Sequence, residues 1–427
     1  MKFLFRLLAC SLLLVVASCA QAPVPRAAMP ASHVPLLLIS IDGYRHDYLD
    51  RGLSPTLAAL AKDGVRADGM QPSFPSLTFP NHYTLVTGLR PDHHGIVHNT
   101  MEDPTLGHFA LKDRAAVSDG RWWAEATPLW ETADRAGLKT ATMFWPGTEA
   151  DIHGMHPDHW RPYDGAVTPA QRVDQVLAWL DLPPGRRPAF VTLYFDAVDH
   201  AGHTFGPDTP QVDAALRDTD AALARLLRGL RQRGLFERIN LIVLADHGMA
   251  ATPRGNDVLI ERLIPLDQVR TVSMGVLAGF NPKPGHDFAP IAAKLEQPQP
   301  HMRCWDKSRI PARLHYGHNR RVPQLVCLAD AGWRIATASY LAAHKRTSLG
   351  EHGYDNADPR MQALFVAHGP AFRRGLTVKP FANVDVYPLM AGLLGLPPAA
   401  NDGDYDAVKG MLAPAAPTRA AAAARVP

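Results

Sequence analysis

Carboxylate and imidazole side chains occur at a few places where an apolar run of the sequence stops. Carboxylates and imidazoles without thiolates suit Zn²⁺ or a similar divalent ion, which takes three or four protein ligands. The composition favours nitrogen and oxygen ligands, since the chain has 20 histidines and only 4 cysteines. Six ligands are enough for two ions, and the six candidates are Asp42, Asp199, His203, Asp246, His247 and His352.

Four of these candidates form two short motifs, and each motif has a second interpretation. Asp199 and His203 are four residues apart, and Gly202 would let the chain bend close to a metal. The same spacing also arises by coincidence on protein surfaces. Asp246 and His247 follow an apolar run, so both side chains emerge where a buried strand stops. An adjacent pair there also fits a helix cap with a hydrogen-bonded histidine.

A hydroxyl group that could act as a nucleophile belongs to Thr78. Pro80 suits the first turn of a helix and Gly88 its end, which predicts a helix that begins near Thr78. A helix start presents unpaired N–H groups and the positive end of the helix dipole, a favourable place for a phosphate. Thr78 could therefore cap the helix, or become a nucleophile once a nearby dication promotes loss of its proton.

The elements that must position these groups follow an α/β pattern. Short apolar runs alternate with helical patterns, which predicts a doubly wound, mostly parallel central sheet. Strands are predicted at 36–41, 139–144, 189–195, 239–245 and 363–367. Apolar residues recur at spacings of three and four over 210–231, which predicts an amphipathic helix. Functional residues of such folds cluster at the carboxyl ends of the strands, so the candidate ligands are expected at one edge.

The composition changes several times along the chain. Residues 1–18 combine a charged start with a short apolar run, typical of an export signal and too short for an ordinary transmembrane helix. Ala- and Pro-rich stretches predict a tether and a disordered tail. The predicted parts are a signal at 1–18, a tether at 19–32, a core at 33–250 and 350–410, an inserted smaller subdomain at 251–349 and a tail at 411–427.

The cysteines bear on the compartment. Val16-Ala17-Ser18-Cys19 is similar to a bacterial lipoprotein processing box, in which the cysteine becomes the lipidated first residue. This motif predicts a periplasmic protein, anchored to a bacterial membrane through Cys19. Ordinary cleavage after Ala20 would also satisfy the small-residue rule, but the lipoprotein box is favoured. In an oxidising periplasm Cys304 and Cys327 predict a disulfide, with two buried free thiols as the alternative.

The overall charge excludes one class of partner. Lysine plus arginine is 44 against 41 acidic residues, a formal net charge of +3, and no basic run stands out. Electrostatic binding of a nucleic-acid polymer is therefore not expected. Hydrophobic residues make up 46% of the chain, which excludes a disordered or fibrous protein. Affinity for a small anionic substrate would come from bound dications rather than from the surface as a whole.

Six segments in order along the chain carry a family resemblance. They are Ser40-Ile41-Asp42-Gly43, Phe79-Pro80-Asn81-His82-Tyr83 with Val86-Thr87-Gly88-Leu89, His94-Gly95-Ile96 with Asn99, residues 199–207, Asp246-His247-Gly248-Met249, and His352-Gly353-Tyr354. Over roughly residues 35–395 the chain resembles the bacterial nucleotide pyrophosphatase/phosphodiesterase family of the alkaline phosphatase superfamily. A chance match of six segments in the same order over more than 300 residues is improbable.

The resemblance implies a two-zinc site and a mechanism. One zinc would be held by Asp42, Asp246, His247 and the Thr78 oxygen, and the second by Asp199, His203 and His352. Thr78 would attack phosphorus and form a covalent threonyl-nucleotide ester, which water hydrolyses to a nucleoside 5′-monophosphate. The amide of Asn99 and the backbone N–H of Phe79 would bind a non-bridging phosphate oxygen, where charge develops in the transition state.

The resemblance also implies a nucleotide as the small-molecule substrate. In bacterial members a base lies between aromatic rings, and the matching positions are Phe79 and Tyr163, although Phe79 could also be a core residue. Stacking accepts any base, because every base has a π-face. Leu77 replaces a lysine common in the family, and Ala197-Val198 replaces Glu-Pro. Neither departure removes a ligand, but both change side chains that flank the site.

Two other functions remain open from the sequence. One is a related two-zinc hydrolase that acts on phosphonoacetate or on choline-phosphate diesters. The other is a binding lipoprotein on an inactive scaffold, which the retained nucleophile and ligands disfavour. A sulfatase is disfavoured because no Cys-x-Pro-Ser-Arg or Ser-x-Pro-Ser-Arg segment is present at the nucleophile.

Overall fold

The apolar runs of the sequence form the strands of the protein. The computed structural model describes residues 34–343 and 348–414. Within these residues the strands are β1 Leu36–Ile41, β2 Val65–Ala67, β3 Met70–Gln71, β4 Thr100–Asp103, β5 Gly107–Ala110, β6 Thr140–Met143, β7 His159–Trp160, β8 Phe190–Phe195, β9 Asn240–Leu244, β10 Ala250–Ala251, β11 Asp257–Leu259, β12 Val269–Ser273, β13 Leu277–Pro282, β14 Met302–Asp306, β15 Leu325–Ala329, β16 Arg334–Ala336, β17 Gly350–Glu351, β18 Phe365–His368, β19 Leu376–Val378 and β20 Phe381–Ala382.

Helices connect and cover these strands. In the described part of the chain the α-helices are α1 Pro55–Asp63, α2 Thr78–Thr87, α3 Pro91–His94, α4 Arg114–Ser118, α5 Leu129–Arg135, α6 Pro169–Leu180, α7 Ala197–Phe205, α8 Pro210–Gln232, α9 Ala289–Glu296, α10 Ala338–Ala343, α11 Val386–Leu393 and α12 Tyr405–Val408. The helix predicted over 210–231 is confirmed as α8, and its apolar stripe is buried. Within the described residues no helix combines the length and apolarity needed to cross a membrane.

The central sheet has eight strands in the order β19-β2-β18-β9-β1-β8-β6-β7. Its pairs are parallel except for the two made by β18, which runs antiparallel to β9 and β2. Every residue of β1 and β9 is buried, as expected for strands that helices cover on both faces. The predicted doubly wound, mostly parallel α/β fold is confirmed. The five predicted strands correspond to β1, β6, β8, β9 and β18, and the bounds of β1 are the same as predicted.

The region predicted as an inserted subdomain has a sheet of its own. Four antiparallel strands lie in the order β12-β13-β15-β14, and α9 packs against β14. Cys304 of β14 lies directly opposite Cys327 of β15, and the two form a disulfide. The predicted disulfide is confirmed, and the alternative of two free thiols is wrong.

The structure describes the first residues of the predicted C-terminal tail but not the predicted N-terminal signal and tether. The predicted tail at 411–427 begins inside the folded part, because Met411 is buried and Leu412 bridges to Phe372. The Ala413 N–H also donates to the Ala371 carbonyl at 2.9 Å. The first residues of the predicted tail therefore belong to the folded part, and a tail could start only after them. The rest of it, and the predicted signal, tether and lipidation site at 1–32, lie outside the described residues.

Candidate functional site

Three neighbouring strands deliver acidic residues to one edge of the central sheet. The parallel registers of β1 with β8 and β9 end these strands at the same level. Asp42 directly follows β1, Asp246 follows β9 by two residues, and Asp199 lies in the first turn of α7, just after β8. His203 is one helical turn further along α7, on the same face as Asp199.

A short hairpin-like pairing brings the last histidine to this edge. β10 begins three residues after His247 and pairs antiparallel with β17, with Ala250 opposite Glu351. His352 directly follows β17, so it returns next to His247 across about 100 residues of sequence. The two imidazole rings stack with their centroids 3.6 Å apart and their planes 12° apart.

The first cluster consists of Asp42, Asp246 and His247, all buried. The Nε2 atom of His247 lies 2.9 Å from Asp246 Oδ2 and 3.5 Å from Asp42 Oδ1. The Nδ1–H of His247 donates to the Gly248 carbonyl at 2.9 Å. In the neutral ring Nε2 therefore keeps its lone pair and turns it toward the carboxylates.

The second cluster consists of Asp199, His203 and His352. The Nδ1–H of His203 donates to the Gly350 carbonyl, and that of His352 to the Ser76 carbonyl, both at 2.8 Å. Their Nε2 atoms lie 3.1 Å from each other, and 3.5 and 3.7 Å from Asp199 Oδ1. Two imidazole lone pairs thus face each other beside a carboxylate, an arrangement that a cation between them would stabilise.

Both clusters fit divalent cations. Among the described residues Asp42 Oδ1, Asp199 Oδ1 and Asp246 Oδ2 are buried and accept no hydrogen bond. A buried carboxylate oxygen without a partner costs free energy that a bound cation would recover. All three histidines direct Nδ1–H to a backbone carbonyl, which is how proteins orient a metal-binding imidazole. The donor set of carboxylate oxygens and imidazole nitrogens is one that zinc accepts.

The pKa shifts reflect crowding of like groups at this edge. Burial, together with the neighbouring carboxylate of Asp246, raises the pKa of Asp42 well above its ordinary value. Burial would also raise the pKa of Asp246, but the imidazoles of His247 and His82 hold it well below the ordinary value. Burial and the adjacent imidazole of His247 lower the pKa of His352. The cluster therefore favours ligands in their metal-binding forms at the Asp246 and His352 positions.

Thr78 is the first residue of α2, at the same edge. The helix ends at Thr87 with Gly88 as its C-cap, which agrees with the prediction. Its N-cap residue is Leu77, which makes no side-chain capping hydrogen bond. The interpretation of Thr78 as an N-cap is therefore wrong. Its Oγ1 instead lies 3.2 Å from His247 Nε2. The hydroxyl group thus faces the first cluster, where a bound cation would contact it.

Asn99 and the backbone of Phe79 contact each other. The Phe79 N–H donates to Asn99 Oδ1 at 3.0 Å. The sequence predicts both this N–H and the Asn99 amide as donors to a phosphate oxygen, and that stays a prediction. The N–H is engaged by the asparagine oxygen, because the two groups lie within hydrogen-bond distance at the helix start. The contact occupies Oδ1 of the Asn99 side chain and does not involve its Nδ2.

The two rings predicted to hold a base contact different aromatic neighbours. Phe79 is half-buried and packs against Trp123 and Phe109, with ring centroids 5.9 and 6.1 Å apart. Tyr163 is 41% exposed and packs edge-on against Phe144. Phe79 is thus a partly exposed residue that also packs against core aromatic rings.

Two residues of the site were not predicted from the sequence. The Tyr194 hydroxyl donates to Asp42 Oδ2 at 2.6 Å, which leaves Oδ1 of that carboxylate for a cation. His82 donates through Nδ1–H to the Thr78 carbonyl at 2.9 Å, and the same nitrogen is 3.4 Å from Asp246 Oδ2. A signal existed for His82, since it belongs to a matched segment. Tyr194 lies in an apolar strand and gave none.

An alkaline phosphatase-like α/β fold with two carboxylate and imidazole clusters at its strand ends defines a class of metal-dependent hydrolases. The chain matches the model of the Type I phosphodiesterase / nucleotide pyrophosphatase family over residues 36–355. The protein belongs to this family and is a phosphodiester or nucleotide pyrophosphate hydrolase.

Relatives with similar sequences come from several eukaryotes. An uncharacterized pyrophosphatase/phosphodiesterase of Schizosaccharomyces pombe is 36% identical over 382 residues, 87% of this chain and 79% of the relative. Human ectonucleotide pyrophosphatase/phosphodiesterase family member 1 is 36% identical, over 88% of this chain and 42% of the relative. The venom phosphodiesterase of Naja atra is 37% identical, over 88% and 46%. The chain thus spans less than half the length of the human and snake relatives.

Solved structures agree with the fold. Human ectonucleotide pyrophosphatase/phosphodiesterase 5 superposes with a TM-score of 0.85 at 34% identity, covering 89% of this chain and 100% of that chain. The murine protein superposes with a TM-score of 0.84 at 35% identity and the same coverage. The murine structure is of an inactive threonine-to-alanine variant in complex with AMP.

Proposed function

We propose that the protein is a two-zinc phosphodiesterase and nucleotide pyrophosphatase that releases nucleoside 5′-monophosphates through a covalent threonyl-nucleotide intermediate. The observation that carries the proposal is the position of the Thr78 hydroxyl. It lies at a helix start, 3.2 Å from His247 Nε2, where the ligand clusters meet. A hydroxyl in this position has a phosphate-binding helix terminus on one side and candidate cation sites on the other.

The chain's own residues supply two in-line displacements. Thr78 Oγ1 attacks the phosphorus of a nucleotide, the bond to the leaving oxygen breaks, and the leaving group departs with a proton. Water then attacks the same phosphorus, the bond to Oγ1 breaks, and Thr78 regains its proton as the nucleoside 5′-monophosphate leaves. Asn99 Nδ2 donates to a non-bridging oxygen in both steps, where negative charge accumulates. The Phe79 and Tyr163 rings would stack on the base.

Two metal ions would complete the site. Asp42, Asp246 and His247 with Thr78 Oγ1 would hold one ion, and Asp199, His203 and His352 the other. When bound, such a pair lowers the pKa of a coordinated hydroxyl and neutralises charge on the attacking and leaving oxygens. Zinc is proposed because it accepts mixed oxygen and nitrogen ligands in three- or four-coordinate sites.

The comparisons support this proposal from two directions. The murine relative binds AMP, the product type expected here. Its inactive variant lacks a threonine, which agrees with a nucleophilic threonine in the family. Several relatives are named for pyrophosphatase and phosphodiesterase activity, which points to nucleotide diphosphate linkages and 5′-phosphodiesters as substrates.

The test compares Thr78→Ala with the wild type on p-nitrophenyl thymidine 5′-monophosphate. We expect kcat to fall at least about 10³-fold, since the attacking atom is removed. Bound zinc, measured by elemental analysis, should remain at or above about one half of the wild-type content, because six ligands remain. Full activity in Thr78→Ala would refute the covalent mechanism. Thr78→Ser is the matched control, because it keeps a hydroxyl and should retain measurable turnover.

The metal is tested separately. Chelation should abolish activity in the wild type, and zinc should restore it better than Mg²⁺ or Ca²⁺, because hard cations prefer all-oxygen ligand sets. Restoration by magnesium alone would contradict the zinc assignment. ATP, a UDP-sugar, phosphonoacetate and glycerophosphocholine then form a substrate panel. The proposal expects AMP plus pyrophosphate from ATP, and faster turnover of phosphonoacetate or the choline ester would favour the related hydrolase instead.

We also propose export and lipidation at Cys19 in a bacterial host, which concerns residues outside the described part of the chain. The support is the sequence motif itself and the Cys304–Cys327 disulfide, which suits an oxidising compartment. Labelling of the wild type with radioactive palmitate, and loss of the label in Cys19→Ala, would support it. A soluble, unlabelled wild-type protein would contradict it.

A further inference from the structure

The exposed ring of Tyr163 is held by other parts of the fold. It lies on the irregular segment between β7 and α6, in which residues 161–166 are all exposed, so local packing does not fix it. Its backbone N–H donates to Glu149 Oε1 at 2.8 Å, and its hydroxyl donates to Asp196 Oδ2. The ring edge contacts Phe144 and Tyr194, with centroids 5.2 and 6.4 Å away.

Asp196 is itself fixed by a buried arginine. The side chain of Arg172 is 2% exposed, and its Nη1 and Nη2 donate to Asp196 Oδ1 and Oδ2 at 3.1 and 3.4 Å. Nη1 also donates to the Tyr194 carbonyl, and Nε donates to the Val167 carbonyl, each at 3.0 Å. A buried guanidinium requires a carboxylate partner, and within the described residues its ion pair is with Asp196. The two-pronged contact sets the plane of that carboxylate.

The position of this contact links the ring to the candidate metal site. Asp196 directly follows β8 and precedes α7, the helix that carries Asp199 and His203. The Arg172 guanidinium also lies 5.0 Å from the Phe144 ring centroid. Phe144 has φ of 57°, in the left-handed region that a bulky side chain rarely adopts. Such backbone strain persists where surrounding contacts require it, and here it places the Phe144 ring against the Tyr163 ring.

We propose that Asp196, clamped by Arg172, is a positioning residue that holds the Tyr163 ring ready to stack on the base of a nucleotide. The inference rests on the proposed function and deepens it, because it names what makes the enzyme prefer nucleoside esters over esters without a base. A ring fixed before binding loses little conformational entropy when the base arrives. A half-exposed ring without its hydroxyl partner would be free to rotate, and the substrate would have to order it.

The experiment compares two p-nitrophenyl esters on purified, zinc-loaded, full-length protein. One is p-nitrophenyl thymidine 5′-monophosphate, and the other is methyl p-nitrophenyl phosphate, which has no base. In Asp196→Ala we expect KM for the nucleoside ester to rise about 3- to 10-fold with kcat within twofold. The kcat/KM for the methyl ester should stay within twofold of wild type. Asp196→Asn keeps an acceptor for the hydroxyl and should recover part of the KM.

A matched control and a second variant separate positioning from folding. Asp174 lies on the same helix as Arg172 and pairs in the same two-pronged way with Arg225, away from the ring. Asp174→Ala should leave both esters unchanged. Tyr163→Phe, which removes only the hydroxyl, should raise KM for the nucleoside ester as Asp196→Ala does. The double variant should be no worse than either single one, because both remove the same hydrogen bond.

Specific outcomes would overturn the inference. An equal loss on both esters in Asp196→Ala, accompanied by lower zinc content, would show a structural role of α7 instead. An unchanged KM for the nucleoside ester in Asp196→Ala, or additive effects in the double variant, would also overturn it. Failure of the wild type to hydrolyse either ester would refute the proposed function and this inference with it. A wild type that cleaves both esters with equal kcat/KM would refute the inference alone.

Discussion

The hydrogen bond from Tyr194 to Asp42 gives a sharp prediction about metal affinity. The hydroxyl donates to Asp42 Oδ2 at 2.6 Å, and Oδ1 of the same carboxylate accepts no hydrogen bond among the described residues. Tyr194→Phe removes the donor without changing the shape of the ring. The carboxylate then loses the contact that aims its free oxygen at His247 Nε2, 3.5 Å away.

The size of the effect follows from the charge on the acceptor. A hydrogen bond to a charged group contributes about 1.5–3 kcal/mol, which is about 10- to 100-fold in an equilibrium constant. Removing such partners of metal ligands also typically costs about 10- to 100-fold in affinity. We therefore expect Tyr194→Phe to weaken zinc binding at the Asp42 cluster about 10- to 100-fold. At saturating zinc, kcat should recover to near the wild-type value.

The assay is competition for zinc between the protein and a chromophoric chelator. Tyr48→Phe is the matched control, because the Tyr48 hydroxyl is buried but has no hydrogen-bond partner among the described residues. That variant should bind zinc as the wild type does. An affinity of Tyr194→Phe within twofold of wild type, with Tyr48→Phe equal to it, would refute the view that Tyr194 orients a metal ligand.

Three further perturbations test the fold and the edge of the sheet. Reduction of the disulfide, or replacing Cys304 and Cys327 by alanine, should lower the free energy of unfolding by about 3 kcal/mol in urea melts; an unchanged midpoint would contradict this. Burial lowers the pKa of His94 to about 3, so the folded state resists its protonation. The contribution of neutral His94 to the free energy of unfolding is complete above pH 6.5 and is lost as pH falls toward 3, by about 1.4 kcal/mol per pH unit. The free energy of unfolding of His94→Gln should therefore depend less steeply on pH over this range. Gly43→Ala places a Cβ 3.0 Å from Asp199 Cα at a φ of 68°. Because this would displace a candidate metal ligand, kcat/KM should fall at least about 10-fold, and wild-type activity would refute the close approach.

The sheet could be predicted because its strands are buried on both faces. Runs such as that of β1 are then apolar throughout, and their ends are marked by Asp42 and Asp246. The antiparallel direction of β18 could not be predicted from its apolar residues, because direction depends on the connection that leads into the strand and not on composition. The order at 411–414 was missed for a similar reason, since an Ala- and Pro-rich composition does not reveal a pairing with Phe372.

Only part of the candidate site could be predicted from the sequence. Chain order and spacing could not group the ligands, and the grouping came from the resemblance; the structure brings together the same two sets of three. The contact between Phe79 N–H and Asn99 Oδ1 depends on where a loop meets a helix start, which no local pattern encodes. Tyr194 was missed because a tyrosine in an apolar strand looks like core until the neighbouring strand places a carboxylate beside its hydroxyl.

The stereochemical course at phosphorus tests the central claim most directly. A nucleoside 5′-phosphorothioate diester of known configuration is hydrolysed in water enriched in oxygen-18, and the configuration of the product is determined. Each in-line displacement inverts phosphorus, so attack by Thr78 followed by attack of water predicts net retention. Net inversion would show direct attack by water and would contradict a threonyl-nucleotide intermediate.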